Sequence, residues 1–336
     1  MFGAIAGCGN NKNINLAQPE AVPKKQPKFV AIASGGEIAH SEDGINWKVG
    51  ASLSSKFRWT DITYGKGKFI AVTARDSAGE ENYNLKSAYA TSVDGIEWEI
   101  TTLPDGTGWG RICYGNGKFV AIELWAGKAV SSTDGVNWKK AAISIPAGWL
   151  LSGYGNGKFM ALSAPNLYVG VMPLYSTDGI EWKEGEMIPI QNWYSACSGK
   201  GKFIVVGCCG GDGGSGGEVA YSADGIKWYF TKMPSKELYD TSYGNGKFVA
   251  VANNSRNAAY SADGITWRAT KMPVSANWTK ICYGNGKFVA VVNGGFDEYS
   301  RMKGSDKAVY STNGIKWNET TMPCKAGWKR VCYAGD

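Results

Sequence analysis

Hydrophobic residues along this chain fall into three textures that recur in fixed order. One is a short run that is apolar almost throughout, Lys-Phe-Val-Ala-Val or a close variant, beginning at Lys28, Lys68, Lys118, Lys158, Lys202, Lys247 and Lys287. Ahead of it stands a sparser run, Trp-x-x-Ile-x-Tyr, clearest at Trp109 to Tyr114 and Trp278 to Tyr283, with variants from Trp59, Trp149, Trp193 and Leu238. After it, beyond a connection of variable length, comes Ser-x-Asp-Gly-Ile-x-Trp. Runs this short, rich in β-branched and aromatic residues and bounded by Gly, Asn and Asp, predict strands rather than helices. A run apolar at every position predicts a strand covered on both faces.

The pattern predicts a four-stranded unit. Strand a is Trp-x-x-Ile-x-Tyr, and Gly-Asn-Gly or Gly-Lys-Gly supplies the positive φ angles of a tight turn into strand b. Strand c ends at Ser-x-Asp-Gly, where the Asp side chain satisfies the turn's own amides, and strand d carries Ile and Trp. The Asp position recurs at Asp43, Asp94, Asp134, Asp178, Asp224 and Asp263, with Asn313 in the last copy. The seven copies are spaced by 45 residues on average, the length of a propeller blade.

The chain enters the first unit at strand b, Lys28 to Ile32, and finishes on an orphan strand a, Trp328 to Gly335. The expected fold is therefore all-β, a seven-bladed β-propeller whose C-terminal innermost strand pairs with the N-terminal blade. Such closure removes the exposed sheet edges of an open array. Residues 27–336 form the propeller and residues 1–26 an arm or tether.

Composition agrees with a turn-rich β protein: 46 glycines in 336 residues, 12% aromatic and 19% charged. The net charge of +7 is spread along the chain, which favours anionic surfaces without specifying nucleic acid. No apolar stretch is long enough to span a membrane. A single histidine, His40, in a slot filled elsewhere by Tyr, argues against histidine-based triads. Cys113, Cys197, Cys282 and Cys332 share one strand-a position without zinc-site spacing and read as small buried residues. Neither a metal nor a cofactor is expected. Ile5-Ala6-Gly7-Cys8 resembles a bacterial lipobox, which makes a tether at Cys8 an alternative.

Ser132-Thr133-Asp134-Gly135-Val136-Asn137-Trp138 and its six companions resemble the Asp-box of sialidase-like propellers, with one residue fewer between Asp and Trp. The resemblance implies a structural turn between third and fourth strands and carries no catalytic residue across. A sialidase's arginine cluster cannot be mapped onto the arginines here. The repeat style is also similar to propellers of phage tails or virions and of bacterial surface proteins.

Topology puts the a–b and c–d turns on one uniform face and the b–c and d–a connections on a variable one, where function is expected. The uniform-face turn lysines read as solvated. On the variable face, Trp59, Trp109, Trp149, Trp193, Trp278 and Trp328 open strand a. They form either a stacking ring for a ligand or, packed on the Pro of the preceding d–a connection, a structural layer. Two residues on, Asp61, Arg111, Leu151, Ser195, Asp240, Lys280 and Arg330 are expected to line the channel entrance, with Arg111, Lys280 and Arg330 as further ligand candidates. The first functional expectation is a non-catalytic recognition or structural propeller, a phage virion or tail component. It would bind host glycan or another virion protein and attach to a larger assembly through residues 1–26. The alternatives are a surface lipoprotein and a glycoside hydrolase using Asp61 and Asp240 at the channel mouth.

Overall fold

The computed structural model describes residues 29–74, 87–103, 108–123, 128–141, 149–166, 170–189, 192–208, 217–235, 238–296 and 302–335. Seven four-stranded antiparallel sheets form the blades, and no helix occurs among the described residues. Blade 1 takes strands b, c and d from Phe29–Ala33, Ile38–Ser41 and Lys48–Val49, and strand a from Trp328–Tyr333. Phe29 lies opposite Tyr333 and Ala31 opposite Val331, so the two ends of the chain share one sheet. The innermost strands of blades 2 to 7 are Arg58–Gly65, Trp109–Gly115, Trp149–Gly155, Asn192–Gly199, Leu238–Gly244 and Trp278–Gly284. A two-stranded ribbon, Gly295–Phe296 with Met302–Lys303, extends the b–c connection of blade 7.

Strand b is apolar throughout because its two faces serve two neighbours. Phe29, Ala31 and Ala33 pack with Val289 and Val291 of blade 7, whereas Val30 and Ile32 pack with Phe69 and Ala71 of blade 2. The same arrangement recurs at the other interfaces, giving seven apolar clusters for seven junctions. Each cluster takes a strand-d Trp at its outer part, from Trp47 to Trp317. The core is thus a ring of inter-blade layers, and no blade buries its own faces alone.

Two motif residues acquire specific reasons. At the last position of strand a, glycine lies beneath the Tyr ring of the following blade: a Cβ on Gly244 would stand 1.9 Å from Cγ of Tyr283, and one on Gly115 2.0 Å from Tyr154. At the a–b turns a residue with φ near +46°, such as Asn116 or Lys200, precedes a glycine with φ near +70°, the twist that a two-residue hairpin needs.

The uniform face is stitched by hydrogen bonds between blades. Lys68 donates to the carbonyl of Asp134 at 2.8 Å, Lys118 to that of Asp178 at 3.0 Å, and Lys158 to that of Asp224 at 2.7 Å. These three lysines therefore tie the a–b turns of blades 2, 3 and 4 to the next blade's c–d turn, which corrects the expectation of free solvated cations for them. Within the c–d turn Asp43 accepts from the amides of Ile45 and Asn46, each at 2.8 Å, while Ser41 donates to Asp43 at 3.0 Å and accepts from Gly44 at 2.9 Å. Burial works against ionisation of Asp43, but the amides of Asn46 and Ile45 outweigh it and hold the carboxyl at about 2.

The Gly–Tyr contact can be checked directly. Gly244→Ala should destabilise the protein by about 1–3 kcal/mol, the usual result of overpacking, as read by urea denaturation. An unchanged midpoint would show that the blades have slack at their inner junctions.

Candidate binding site at the channel mouth

Every strand a carries the same irregularity. Its register against strand b slips by one residue after the first position, as between Trp59 and Asp61, Trp278 and Lys280, and, at the closure, Trp328 and Arg330. A β-bulge of this kind re-aims the side chains that follow it. Here it frees the third position from the ladder's strict alternation and directs it toward neighbouring inner strands.

Third-position side chains accordingly bridge blades. Asp61 accepts from its neighbour Ile62 N at 2.9 Å, from Ile112 N of blade 3 at 3.2 Å, and from Arg330 Nε of blade 1 at 2.7 Å. Asp240 accepts from Ser195 Oγ of blade 5 and from Ile281 N of blade 7 at 2.8 Å, and Lys280 Nζ lies 3.7 Å away. Both carboxylates are buried, with 0% and 2% of their surface exposed. All four of their oxygens are engaged. Burial opposes the charge of Arg330, yet Asp61 and Asp240 raise its pKa. Burial likewise brings Lys280 down to about 8, with Asp240 offsetting and Arg330 and Arg111 adding to the fall.

Arg111 occupies a different situation. Burial lowers its pKa first; Asp61 of the adjacent blade, and Asp240 and Tyr239 from across the ring, favour its charge, while Arg330 opposes it. Arg111 is half-buried and stands at the same strand-a position as Asp61, Asp240, Lys280 and Arg330, whose side chains bridge the inner strands. Beside it stand Lys329, lowered by burial and then by Arg58 and Arg111, and the exposed Arg58. Opposite, Tyr194 and Tyr239 stack with centroids 4.8 Å apart and planes at 19°, and Lys280 lies 6.0 Å from the Tyr239 ring. Below them a cavity of about 520 Å³ is lined by Ser195, Asp240, Ser242, Cys282, Arg330 and Cys332 among others.

The first-position tryptophans do not present their faces. Trp59, Trp278 and Trp328 are 0% exposed, Trp193 2% and Trp109 5%, and each sits in an inter-blade cluster. The stacking ring is thereby corrected to a structural layer; for Trp149 the side chain lies outside what is described. In four of these clusters the residue ahead of the expected proline joins the Trp: Leu103, Ile188, Met272 and Met322, with Met233 serving Leu238 and Leu53 taking the place beside Trp59. Three indoles also donate to backbone carbonyls, Trp59 to Ser54, Trp278 to Val274 and Trp328 to Ser305.

The strand-a cysteines are corrected as well. They are half-buried rather than buried, and a Cβ on Gly153 at the same position would meet nothing within 4 Å, so the position has room to spare. Burial raises Cys197 and Cys332 to about 12 and Cys282 well above its usual value, which keeps these groups as unreactive thiols. His40 is a strand residue paired with Val30 and Lys48. Tyr194, Tyr239, Arg58 and Lys329 escaped the sequence reading because a strict two-residue alternation points them away from the ring. A repeated bulge after Trp was the missing information. The irregular connections 75–86, 167–169, 209–216 and 297–301, and residues 1–26 with Cys8, lie outside the described residues.

A family described as the DUF6242 beta propeller domain matches residues 78–275, from the b–c connection of blade 2 into strand d of blade 6. The chain belongs to that family. No curated protein matches this DUF6242 propeller. Among solved structures it is similar to virginiamycin B lyase from Staphylococcus aureus, with a TM-score of 0.61 and 10% identity over 80% of this chain and 92% of that one. It is also similar to YCF48 bound to D1 peptide, with a TM-score of 0.56 and 13% identity over 89% and 86%. A nidogen/laminin complex gives 0.52 and 7% over 92% and 98%. At such identities the likeness concerns the fold.

Lys280 provides a pH test. Its folded-state pKa lies below the ordinary 10.5, so the penalty for burying its charge is complete at neutral pH and is relieved as pH rises from 8 toward 10.5. Across that window the wild-type protein should gain stability relative to Lys280→Met, by at most roughly 3 kcal/mol. A difference between the two proteins that stays flat in urea titrations from pH 7 to about 10.5 would contradict the buried, coupled ammonium.

Proposed function

We propose that this DUF6242 propeller is a non-catalytic binding module whose partner, a protein segment, docks at the channel mouth on the variable face. One observation carries the reading: every oxygen of Asp61 and Asp240 is committed to a bridge between blades. A glycosidase needs one carboxyl free to donate a proton and another free to attack or to activate water. This pair holds the inner ring together. Burial of the first-position indoles removes the platform on which a glycan would stack, which moves the preference from sugar to polypeptide. Two propellers of similar fold support that choice, one solved with a peptide bound and one within a protein complex.

In the same reading the Ser-x-Asp-Gly turns serve architecture, as in Asp-box propellers. Residues 1–26 attach the module to a larger assembly, a virion component being the case that the repeat style favours.

The docking face can be mapped by photo-crosslinking in the native host. Benzoylphenylalanine in place of Tyr194, half-buried at the mouth, should yield a discrete adduct. The same group in place of Tyr229, 57% exposed on the outer strand of the same blade, should yield none. Equal adducts from both positions, or adducts from Tyr229 alone, would place the partner elsewhere.

A further inference from the structure

Resting on that reading, we propose that the mouth recognises carboxylate groups: Arg111, flanked by Arg58 and Lys329, receives an acidic side chain or chain terminus of the docked segment.

Charge balance comes first. Arg58, Arg111, Lys280, Lys329 and Arg330 gather around the mouth with Asp61 and Asp240 as the carboxylates of the ring. Arg330 is matched by Asp61 and Lys280 by Asp240. Among the described residues, Arg58, Arg111 and Lys329 make no hydrogen bond or ion pair, and burial first, then repulsion from Arg58 and Arg111, lowers the pKa of Lys329. Arg111 and Lys329 are half-buried and Arg58 is exposed, and Asp61, which favours the charge of Arg111, is spent on Arg330 and two amides, so these three cations have no hydrogen-bonded counter-ion among the described residues and are poised for an anion.

Architecture does not explain Arg111. The same position holds Leu151 in blade 4 and Ser195 in blade 5, so the repeat accepts an apolar or a small polar residue there. Asp61 is already satisfied by Arg330 and two amides. The chemistry of the surplus group then indicates the ligand. Guanidinium presents paired donors that fit a carboxylate bidentately, and it holds its charge even when partly desolvated. Across the mouth the Tyr194–Tyr239 stack offers apolar surface for the chain flanking the acid. A cavity of about 520 Å³, lined by Ser195, Asp240 and Arg330 of the same ring of third positions, suits a side chain or a chain end. The cations come from the inner strands of blades 7, 1, 2 and 3, gathered about one axis rather than along a groove, which matches one or a few carboxylates and not a nucleic-acid backbone.

Fluorescein-labelled hexaglutamate, followed by anisotropy on the full chain, tests the assignment against labelled hexaglutamine. Hexaglutamate should bind in a salt-sensitive manner, and Arg111→Leu, the substitution that blade 4 already illustrates, should weaken it by about tenfold or more. Arg268→Leu, on the exposed outer strand of blade 6, should leave binding unchanged. If Arg111→Leu lowers the melting temperature, Arg111→Gln carries the comparison. Equal affinity for hexaglutamine, undiminished binding in the folded Arg111 variant, or displacement by inorganic phosphate at lower concentration than by glutamate would overturn the carboxylate assignment. Each of these results is independent of where crosslinks from Tyr194 form, so the docking face and its preferred chemistry stand or fall separately.

Discussion

Strand b of each blade is held between two other blades, and the rest of the molecule follows from that double burial. A strand with no solvent side must be apolar at every position, and neither of its faces is satisfied until a neighbour arrives on each side. Phe29 needs Val289 just as Val30 needs Phe69. The ring therefore cannot stop at its ends. The pairing of Phe29–Ala33 with Trp328–Tyr333 is the consequence, because it lets blade 1 present complete faces to both blade 7 and blade 2.

The remaining motif residues trim the junctions that this packing creates. Glycine at the end of strand a makes room for the next blade's tyrosine, with two departures: Gly155 faces Ser198, and at the closure Ala334 packs in the cluster that holds Tyr64. Turn lysines and Ser-x-Asp-Gly turns lock one face from blade to blade. On the opposite side the bulge after the first residue of strand a releases a single position per blade from these duties. Variation concentrates there: Asp, Arg, Ser and Lys meet around one axis, some consumed in bridges and some left over.

The fold was legible because repetition turns weak local signals into a strong one; six copies of a Gly-Asn-Gly or Gly-Lys-Gly turn and seven of Ser-x-Asp-Gly, the last with Asn313 for Asp, leave little room for another architecture. The closing strand was legible for the same reason, as a unit split between the two ends. The site was legible only in part. Asp61, Arg111, Asp240, Lys280 and Arg330 stood out at one register position, but their pairing across blades depends on ring geometry that spacing along the chain does not contain. Burial of the first-position indoles was ambiguous because Trp serves both cores and ligand platforms, and its true neighbours, such as Met272 and Met322, are one residue from the prolines that attracted notice. Lysines such as Lys68 looked solvated because their acceptors lie a whole blade away.

If the ring is one cooperative unit joined through blade 1, its seam should be as protected as its middle. Native-state hydrogen exchange gives the most direct test. Ladder amides of Phe29–Ala33 and Trp328–Tyr333 should exchange through the same global opening as those of Lys287–Val292, with a common dependence on denaturant. Exchange at the seam through a separate, lower-energy opening, while Lys287–Val292 stays protected, would contradict a ring closed by its last strand.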